Sequence, residues 1–306
     1  MNLRPIAFIL LAIVKSATAQ NPALYEPVPL TAEHSFTGEI EGPAVDRAGN
    51  VYAVAFAGRK SSIARVTPEG VAELFVDLPG GSLGNGIRFN RKGLMYVADY
   101  NNHNVLRIDP KTRTIRTFHH NAEMNQPNDL AITAKGDLYA SDPNWAAGTG
   151  QLWWISRDGK RSRRVASDMG TTNGIDLSPD GRTLYVNESV QRKVWAFRVQ
   201  RDGSLTGKRL LIEFPDFGFD GMRIDVDGNL YATRHGKGVV AVISPQGKVI
   251  REIPVLGSKP SNICFGGVDG RTAYVTEMEK GRLVRFRVER PGLEWTRWPG
   301  RLRGDR

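Results

Sequence analysis

The stretch TNGIDLSPDGRTLYVN, from Thr172 to Asn187, decides the fold because versions of it recur from one end of the chain to the other. Each copy has an apolar segment, a turn that contains glycine, and a second segment with a pattern such as Leu-Tyr-Val or Val-Tyr-Ala, which predicts a β-hairpin. The other copies begin at Glu41, Asn85, Asn128, Asp220 and Asn262, at intervals of 42 to 47 residues. The chain therefore contains six related units.

A second pair of strands is predicted between successive copies. In one unit, Gln151 to Ile155 is apolar, Arg157 to Lys160 has turn residues, and Arg163 to Ala166 follows as another strand. A repeat of this length cannot bury both faces by itself, so neighbouring units must stack around a common axis. The sequence predicts an all-β fold, a six-bladed β-propeller with four-stranded blades.

The chain is predicted to contain a signal peptide followed by one domain. Arg4 precedes an apolar run from Ile6 to Val14, and Ala17-Thr18-Ala19 is a typical cleavage site. We expect residues 1–19 to be a secretory signal peptide and residues 20–306 to form a single propeller, because no linker interrupts the repeats. The mature protein is then expected in the periplasm or outside the cell. Stable membrane insertion is not expected, since the apolar run is too short to span a bilayer.

The sixth unit, which begins at Asn262, needs a further strand from one or both ends of the chain. Gln20 to Glu39 starts as a proline-containing extended segment and is expected to end as an outer strand. Leu293 to Trp298 follows a turn and is also predicted to be an outer strand. Pairing the first and last segments in one sheet would remove the free edges of an open array.

Composition and charge exclude several classes of protein. The 306 residues are 40% hydrophobic and 24% charged, which is typical of a globular chain with a large core. The net charge is +10, but Lys and Arg are spread over turns and strand ends. Nucleic-acid binding would need a basic face with stacking aromatic residues, so no nucleic-acid partner is expected. Cys264 is the only cysteine and is predicted to be a core residue. The oligomeric state is not specified by the sequence.

The first residues of the six units predict a ring of side-chain oxygens. In a propeller the first strand of each blade is innermost, so its start lies at one mouth of the central channel. Asn and Asp are common turn residues, but Glu41 has no such preference and all six side chains carry an oxygen. These ring positions are Glu41, Asn85, Asn128, Asn173, Asp220 and Asn262.

A ring with two carboxylates and several amide oxygens predicts a site for a hard divalent cation. Ca²⁺ accepts six to eight oxygen ligands, and Glu41 and Asp220 would neutralise its charge. Zn²⁺ is less suited because the ring has no His or Cys. Ca²⁺ is therefore favoured, with Mg²⁺, Mn²⁺ and Zn²⁺ left open. Asp225 to Asn229 resembles part of a calcium loop, but it lies at a hairpin turn and is predicted to be structural.

From about Glu41 to Arg287 the chain resembles the family of six-bladed propellers that contains senescence marker protein 30, gluconolactonase and luciferin-regenerating enzyme. The segments that carry the resemblance are Glu41-Gly42-Pro43, Pro127-Asn128-Asp129, Asn173-Gly174-Ile175-Asp176 with Ser178-Pro179-Asp180, and Asp220-Gly221-Met222 with Ile224-Asp225. The resemblance implies that Glu41, Asn173 and Asp220 bind the metal and that Asp220 is also the catalytic base. It implies that Asn128 lies beside the metal or ligates it, and that it contributes to substrate binding.

Three further residues are expected near the substrate. Many members of the family have an arginine where this chain has Gln126, which implies different recognition of a sugar-like substrate. Trp145 lies in the stretch Asp142 to Gly150, which is similar to a loop of the gluconolactonases and is expected to wall a pocket; a packing role is the alternative for Trp145. His235 follows a strand that ends on the same face and is a candidate acid or base because histidine titrates near neutral pH.

The resemblance implies a metal-dependent hydrolase of small cyclic esters, a lactonase of the gluconolactonase type with a small-molecule lactone as substrate. In such an enzyme the metal polarises the lactone carbonyl. Hydrolysis of phosphotriesters by the same kind of site is one alternative. A non-catalytic exported calcium-binding propeller that binds a ligand or a protein partner is another, since fold alone does not determine function. An apolar-walled cavity beside the ring would distinguish the enzyme from the binding protein.

Overall fold

Twenty-four β-strands form six antiparallel four-stranded blades in residues 23–300, which the computed structural model describes. In the first two blades the strands, from the inner to the outer, are β2 (Ala44–Val45), β3 (Val51–Val54), β4 (Ser62–Val66) and β5 (Ala72–Asp77), then β6 (Gly84–Phe89), β7 (Met95–Asp99), β8 (Asn104–Asp109) and β9 (Thr114–His120). In the third and fourth they are β10 (Leu130–Ile132), β11 (Leu138–Asn144), β12 (Thr149–Ile155) and β13 (Ser162–Met169), then β14 (Thr172–Leu177), β15 (Thr183–Glu188), β16 (Lys193–Val199) and β17 (Leu205–Glu213). In the fifth and sixth they are β18 (Met222–Ile224), β19 (Leu230–Arg234), β20 (Val239–Ile243) and β21 (Val249–Pro254), then β22 (Pro260–Gly266), β23 (Thr272–Glu277), β24 (Arg282–Arg287) and β1 (Val28–Pro29). The predicted six-bladed β-propeller is therefore confirmed.

Apolar side chains fill six interfaces, one between each pair of neighbouring blades. The inner strands face a neighbour on both sides, so every residue of β3 and β7 is buried. Outer strands such as β5 instead alternate between more and less exposed residues. Cys264 is fully buried in the interface between the sixth and first blades, as predicted. Because each interface needs both of its blades, the six units stabilise one another as a closed ring.

The N-terminal strand β1 completes the sixth blade. It pairs with β24, with Val28 opposite Arg285 and Pro29 opposite Val284. The backbone N–H of Leu30 extends the pairing by donating to the carbonyl of Leu283 at 2.8 Å. The N-terminal segment therefore supplies an outer strand as expected, but in its middle and not at its end. The signal peptide predicted for residues 1–19 lies outside the described residues.

The outer strand predicted for Leu293 to Trp298 is wrong. Leu293–Thr296 forms a short helix, α1, and the outer edge of the sixth blade is already paired with β1. The segment instead folds over the end of the channel, where Leu293 is buried between the fourth and fifth blades. Trp298 packs against Phe89 with ring centroids 5.9 Å apart. No described helix is long and apolar enough to cross a bilayer.

Charged side chains fill the channel above α1. Arg223 Nη1 donates to Asp129 Oδ2 at 2.8 Å, and Arg88 Nη2 lies 3.6 Å from the same oxygen. Glu294 Oε1 accepts a hydrogen bond from the backbone N–H of Phe265 at 2.7 Å, and its other oxygen lies 3.6 Å from Arg88. Buried charges of opposite sign compensate each other in this way. The ionic cluster and α1 leave only a small cavity, of about 30 Å³, at this end of the channel.

Candidate metal centre at the channel mouth

The ring positions lie where the innermost strands begin, and contacts between neighbouring blades fix their backbone. The N–H of Gly174 donates to the carbonyl of Asp220 in the next blade at 3.1 Å. A Cβ atom at Gly174 would lie 2.7 Å from that oxygen, and one at Gly42 would lie 1.9 Å from the carbonyl oxygen of Asn85. The close approach of blades explains why glycine follows the ring residue in four of the six units.

A cavity of about 560 Å³ opens at this mouth. Five ring residues line it, namely Glu41, Asn85, Asn128, Asn173 and Asp220. The sixth, Asn262, supports Glu41 instead: its Nδ2 donates to Glu41 Oε2 at 3.1 Å, and its Oδ1 accepts from the N–H of Ile263 at 2.8 Å. The structure thus brings together the four residues predicted to bind the metal, and their metal-binding role stays a prediction.

Glu41 and Asp220 place two carboxyl groups at one point of the cavity. Glu41 Oε2 accepts from the N–H of Gly42 at 2.8 Å, and Asp220 Oδ1 accepts from Asn173 Nδ2 at 2.8 Å. Burial raises the pKa of Glu41 to about 7. Burial, and then the negative charge of Glu41, raise the pKa of Asp220 well above its usual range. Two carboxyl groups in this arrangement retain a proton unless a cation compensates their charge.

Three amide oxygens at the same mouth have no hydrogen-bond donor among the described residues. They are the buried Oδ1 atoms of Asn85, Asn128 and Asn173. Asn173 Nδ2 donates both to Asp220 and to Ser189 Oγ, the latter at 3.1 Å, which fixes the orientation of the amide. Buried amide oxygens normally have a partner. Three unpaired ones in one cavity therefore indicate a ligand that the chain itself does not supply.

Two carboxylates and three amide oxygens fit a hard divalent cation. Ca²⁺ takes carboxylate and carbonyl oxygens as ligands, and the negative charge of the pair balances that of the ion. Within residues 23–300 there is no group of three or more His, Cys, Asp and Glu side chains placed to share a metal ion. The candidate site therefore depends on its asparagines as much as on its acids, which favours Ca²⁺ over Zn²⁺.

Acidic residues at the end of the second strand hold the loops that lead into four of the blades. They are Asp99, Asp142, Glu188 and Glu277. Asp142, for example, accepts from the backbone N–H groups of Asn125 and Gln126 at 2.9 and 2.6 Å. These acids are therefore structural. In the fifth blade the corresponding residue is Arg234.

The residues predicted near the substrate occupy different places. Trp145 and His235 line the cavity, whereas Gln126 lies behind its wall. Gln126 Oε1 accepts from the backbone N–H of Trp145 at 3.2 Å, so it supports the loop that carries the tryptophan. Burial and the charge of Lys259 lower the pKa of His235, so its ring is neutral at pH 7. Their roles in substrate binding stay predictions.

A larger groove, of about 1510 Å³, lies on the opposite face between the turns of the third and fourth blades. None of the ring positions line it, and its walls carry many arginines, among them Arg157, Arg182 and Arg201. An excess of positive charge repels a divalent cation. The smaller cavity at the channel mouth is therefore the candidate site.

Known proteins share this architecture. The family model for the SMP-30/Gluconolactonase/LRE-like region matches residues 40–279, which include every ring position. The chain belongs to this family. A gluconolactonase from Zymomonas mobilis is 27% identical over 286 residues, which cover 81% of this chain and 78% of that protein.

Solved structures of SMP-30/gluconolactonase/LRE-like proteins have the same fold. A gluconolactonase from Xanthomonas campestris superposes with a TM-score of 0.73 at 21% identity, over 90% of this chain and 96% of that one. Regucalcin from Agrobacterium tumefaciens, a calcium-binding protein, gives a TM-score of 0.74 at 20% identity, over 86% and 94% of the two chains. At these identities the likeness concerns the fold alone.

The sequence did not predict most of the residues on the apolar side of the cavity. Trp145, Val190 and Phe217 all line the cavity and are 37%, 59% and 49% exposed. We call these three residues the apolar rim. They lie in loops that differ from unit to unit, so no repeat points to them. The one available indication is the interval of 47 residues before Asp220, the longest in the chain, which contains Phe217.

Proposed function

We propose that the protein is a metal-dependent lactonase that hydrolyses small cyclic esters at the channel mouth. Its family and its gluconolactonase relative support the reaction class. The main support comes from the polar groups at the floor of the cavity, where two buried carboxyl groups lie beside three unpaired amide oxygens. The cavity has room for a small molecule. A cation that served only to join the blades would not need such a cavity beside it.

Glu41, Asn173 and Asp220 would hold the cation, and Asn128 offers a further oxygen in the same cavity. Ca²⁺ is the favoured ion because every donor is a hard oxygen. When bound, the cation supplies the Lewis acidity that polarises the lactone carbonyl. Asn262 and the N–H of Gly42 keep the Glu41 carboxylate directed into the ring through bonds of 3.1 and 2.8 Å.

Asp220 is the proposed base. It accepts a proton from the water molecule whose oxygen bonds to the lactone carbonyl carbon. The ring C–O bond then breaks, and the proton returns to the ring oxygen, which becomes the hydroxyl group of the product hydroxy acid. Asn173 orients Asp220 for this transfer through its 2.8 Å hydrogen bond.

Hydrolysis by metal-stripped protein tests the proposal. Acid release from a panel of aldonolactones and alkyl lactones is measured before and after addition of Ca²⁺, Mg²⁺, Mn²⁺ or Zn²⁺. We expect hydrolysis only with a divalent cation and the highest rate with Ca²⁺. Asp227→Asn is a matched control, since Asp227 lies in the calcium-loop-like turn of the fifth blade and pairs with Arg290 at 2.7 Å. This variant should keep full activity.

The same measurement distinguishes the alternatives. Calcium binding without hydrolysis of any lactone would indicate the non-catalytic calcium-binding propeller. Cleavage of a phosphotriester such as paraoxon but of no lactone would indicate the phosphotriesterase type. Lactone hydrolysis that is unchanged by a chelator would contradict the role of the metal.

Export to the periplasm or the medium is a separate part of the proposal. It rests on the run from Ile6 to Val14 and the cleavage site Ala17-Thr18-Ala19. Expression of the full chain followed by fractionation and intact-mass measurement should give a protein in the periplasm or medium that begins at Gln20. A cytoplasmic protein that retains the N-terminal segment would contradict it.

A further inference from the structure

The loop before the fifth blade is held differently from the corresponding loops. In the second, third, fourth and sixth blades an acid at the end of the second strand accepts N–H groups of the incoming loop. In the fifth blade Arg234 donates to backbone carbonyls instead. An acceptor and a donor require opposite orientations of the loop peptides, so residues 215–219 follow a path that the other loops do not share.

Arg234 is a rigid anchor for this loop. Its side chain is 0% exposed, and its Nη2 donates to the carbonyl of Asp216 at 2.5 Å and to that of Phe217 at 3.2 Å. The guanidinium carbon lies 3.8 Å from the ring centroid of Phe214 and 5.1 Å from that of Phe219. Hydrogen bonds and cation–π contacts of Arg234 therefore fix the position of residues 215–219.

Phe217 is held in an unfavourable state by this loop. Its φ angle is +38°, in the region that favours glycine, and its aromatic side chain is 49% exposed at the cavity. A non-glycine residue in this region is strained, and an aromatic ring that is half exposed gains only part of the free energy of burial. A ligand that covered the ring would compensate for both the strained backbone and the exposed aromatic surface of Phe217.

The apolar rim lines the same cavity as Asn173 and Asp220. Trp145, Val190 and Phe217 come from loops of the third, fourth and fifth blades, which are consecutive around the ring. Of the polar side chains beside the apolar rim, Ser189 Oγ accepts from Asn173, and Arg192 Nε donates to the carbonyl of Phe214. A hydroxyl group buried against Val190 or the ring of Phe217 would lose its bonds to water and find no partner in those side chains.

We propose that the site takes lactones with an alkyl or aryl substituent on the ring, and that Phe217 and Trp145 bind this substituent. The inference rests on the proposed lactonase function and specifies its substrate class. The lactone carbonyl lies at the ring of oxygens and the apolar substituent lies against the apolar rim. Polyhydroxylated aldonolactones are expected to be poor substrates because their hydroxyl groups would face Trp145, Val190 and Phe217.

The test is the specificity constant, kcat/KM, of the calcium-loaded protein for γ-lactones with unbranched alkyl chains of increasing length, compared with D-glucono-1,5-lactone. Burial of one methylene group corresponds to a factor of about four, so kcat/KM should rise about four-fold per added carbon until the rim is covered. Phe217→Ala should lower kcat/KM for the long-chain lactones about ten-fold or more and flatten this dependence. Ile250→Ala is the control, because Ile250 is 53% exposed on the outer strand β21, away from the cavity.

Phe217→Gly separates binding from stability. Glycine tolerates the positive φ angle, so this variant should melt at the same temperature as the parent or higher while it loses kcat/KM for long-chain lactones as Phe217→Ala does. Efficient hydrolysis of gluconolactone with no dependence on chain length would overturn the substrate class and leave the lactonase function intact. Absence of hydrolysis for all lactones would overturn the lactonase function itself. An unchanged chain-length dependence in Phe217→Ala would overturn the assignment of Phe217.

Discussion

The two carboxylates of the ring are predicted to differ in what they do, and a pair of isosteric substitutions separates them. Asp220→Asn and Glu41→Gln each remove one negative charge from the metal site and retain a side-chain oxygen. Asp220→Asn also removes the group proposed to accept a proton from water. Asn at position 220 keeps an oxygen that can accept the 2.8 Å bond from Asn173, so the local geometry is expected to survive.

The expected magnitudes follow from these roles. Loss of a general base lowers kcat by about 10²-fold or more, which corresponds to about 2.7 kcal/mol of transition-state stabilisation. Glu41→Gln removes a charge that is proposed to bind the cation, and it also removes the negative charge that contributes to the raised pKa of Asp220. This variant should therefore need more calcium but reach a kcat close to that of the parent once calcium saturates.

The assay is a calcium titration of the rate of lactone hydrolysis, with metal-stripped preparations of the parent and both variants. Binding of calcium is measured in parallel by calorimetry, so that kcat is compared at saturation in every case. Asp227→Asn serves as the control for the loss of one surface charge, since its carboxylate faces Arg290 on the outside of the fifth blade.

Recovery of Asp220→Asn to the same kcat as Glu41→Gln would refute the assignment of Asp220 as base. Asp220 would then be a ligand only. His235, which lines the same cavity with a neutral ring at pH 7, would be the next candidate.

Three further predictions concern stability. Because burial in the folded, metal-free protein raises the pKa of Glu41 to about 7, this group should lower the free energy of unfolding by up to about 3 kcal/mol as the pH rises from about 4.5 through 7. In calorimetric scans, saturating calcium should remove this part of the fall and leave the part due to Asp129 and Glu294, whose pKa values burial also raises to about 7. Gly42→Ala places a Cβ 1.9 Å from the carbonyl oxygen of Asn85 and should lower the free energy of unfolding in urea by about 3 kcal/mol or more. Gly58 also has a positive φ angle but has open space around it, so Gly58→Ala should lower this free energy by only about 1 kcal/mol. Leu293→Ala removes the buried anchor of α1 and should cost about 2–4 kcal/mol; no change would show that the C-terminal segment does not contribute to the core.

The repeated units made the fold and the ring predictable. The period and the glycine turns are local features that every blade shares, so they could be found in the sequence alone. The first residue of each unit has the same place in its blade, which is why Glu41, Asn173 and Asp220 could be expected at one mouth although they are far apart in the chain.

The remaining features depend on contacts that no repeat encodes. Leu293 to Trp298 has a composition compatible with a strand, but β1 already occupies the edge with which it would pair. The apolar rim lies in loops of unequal length. Comparison between units could have marked Arg234, which anchors the loop of Phe217, because an arginine there replaces the acids found at Asp142 and Glu188.

A crystal structure of the protein soaked with calcium would show directly whether the ring of oxygens binds a cation. We expect one strong ion peak at the channel mouth, with oxygens of Glu41, Asn173 and Asp220 at about 2.3–2.6 Å and an oxygen of Asn128 in or next to the coordination sphere. An ion bound instead at the turn Asp225 to Asn229, or an empty mouth at saturating calcium, would contradict it.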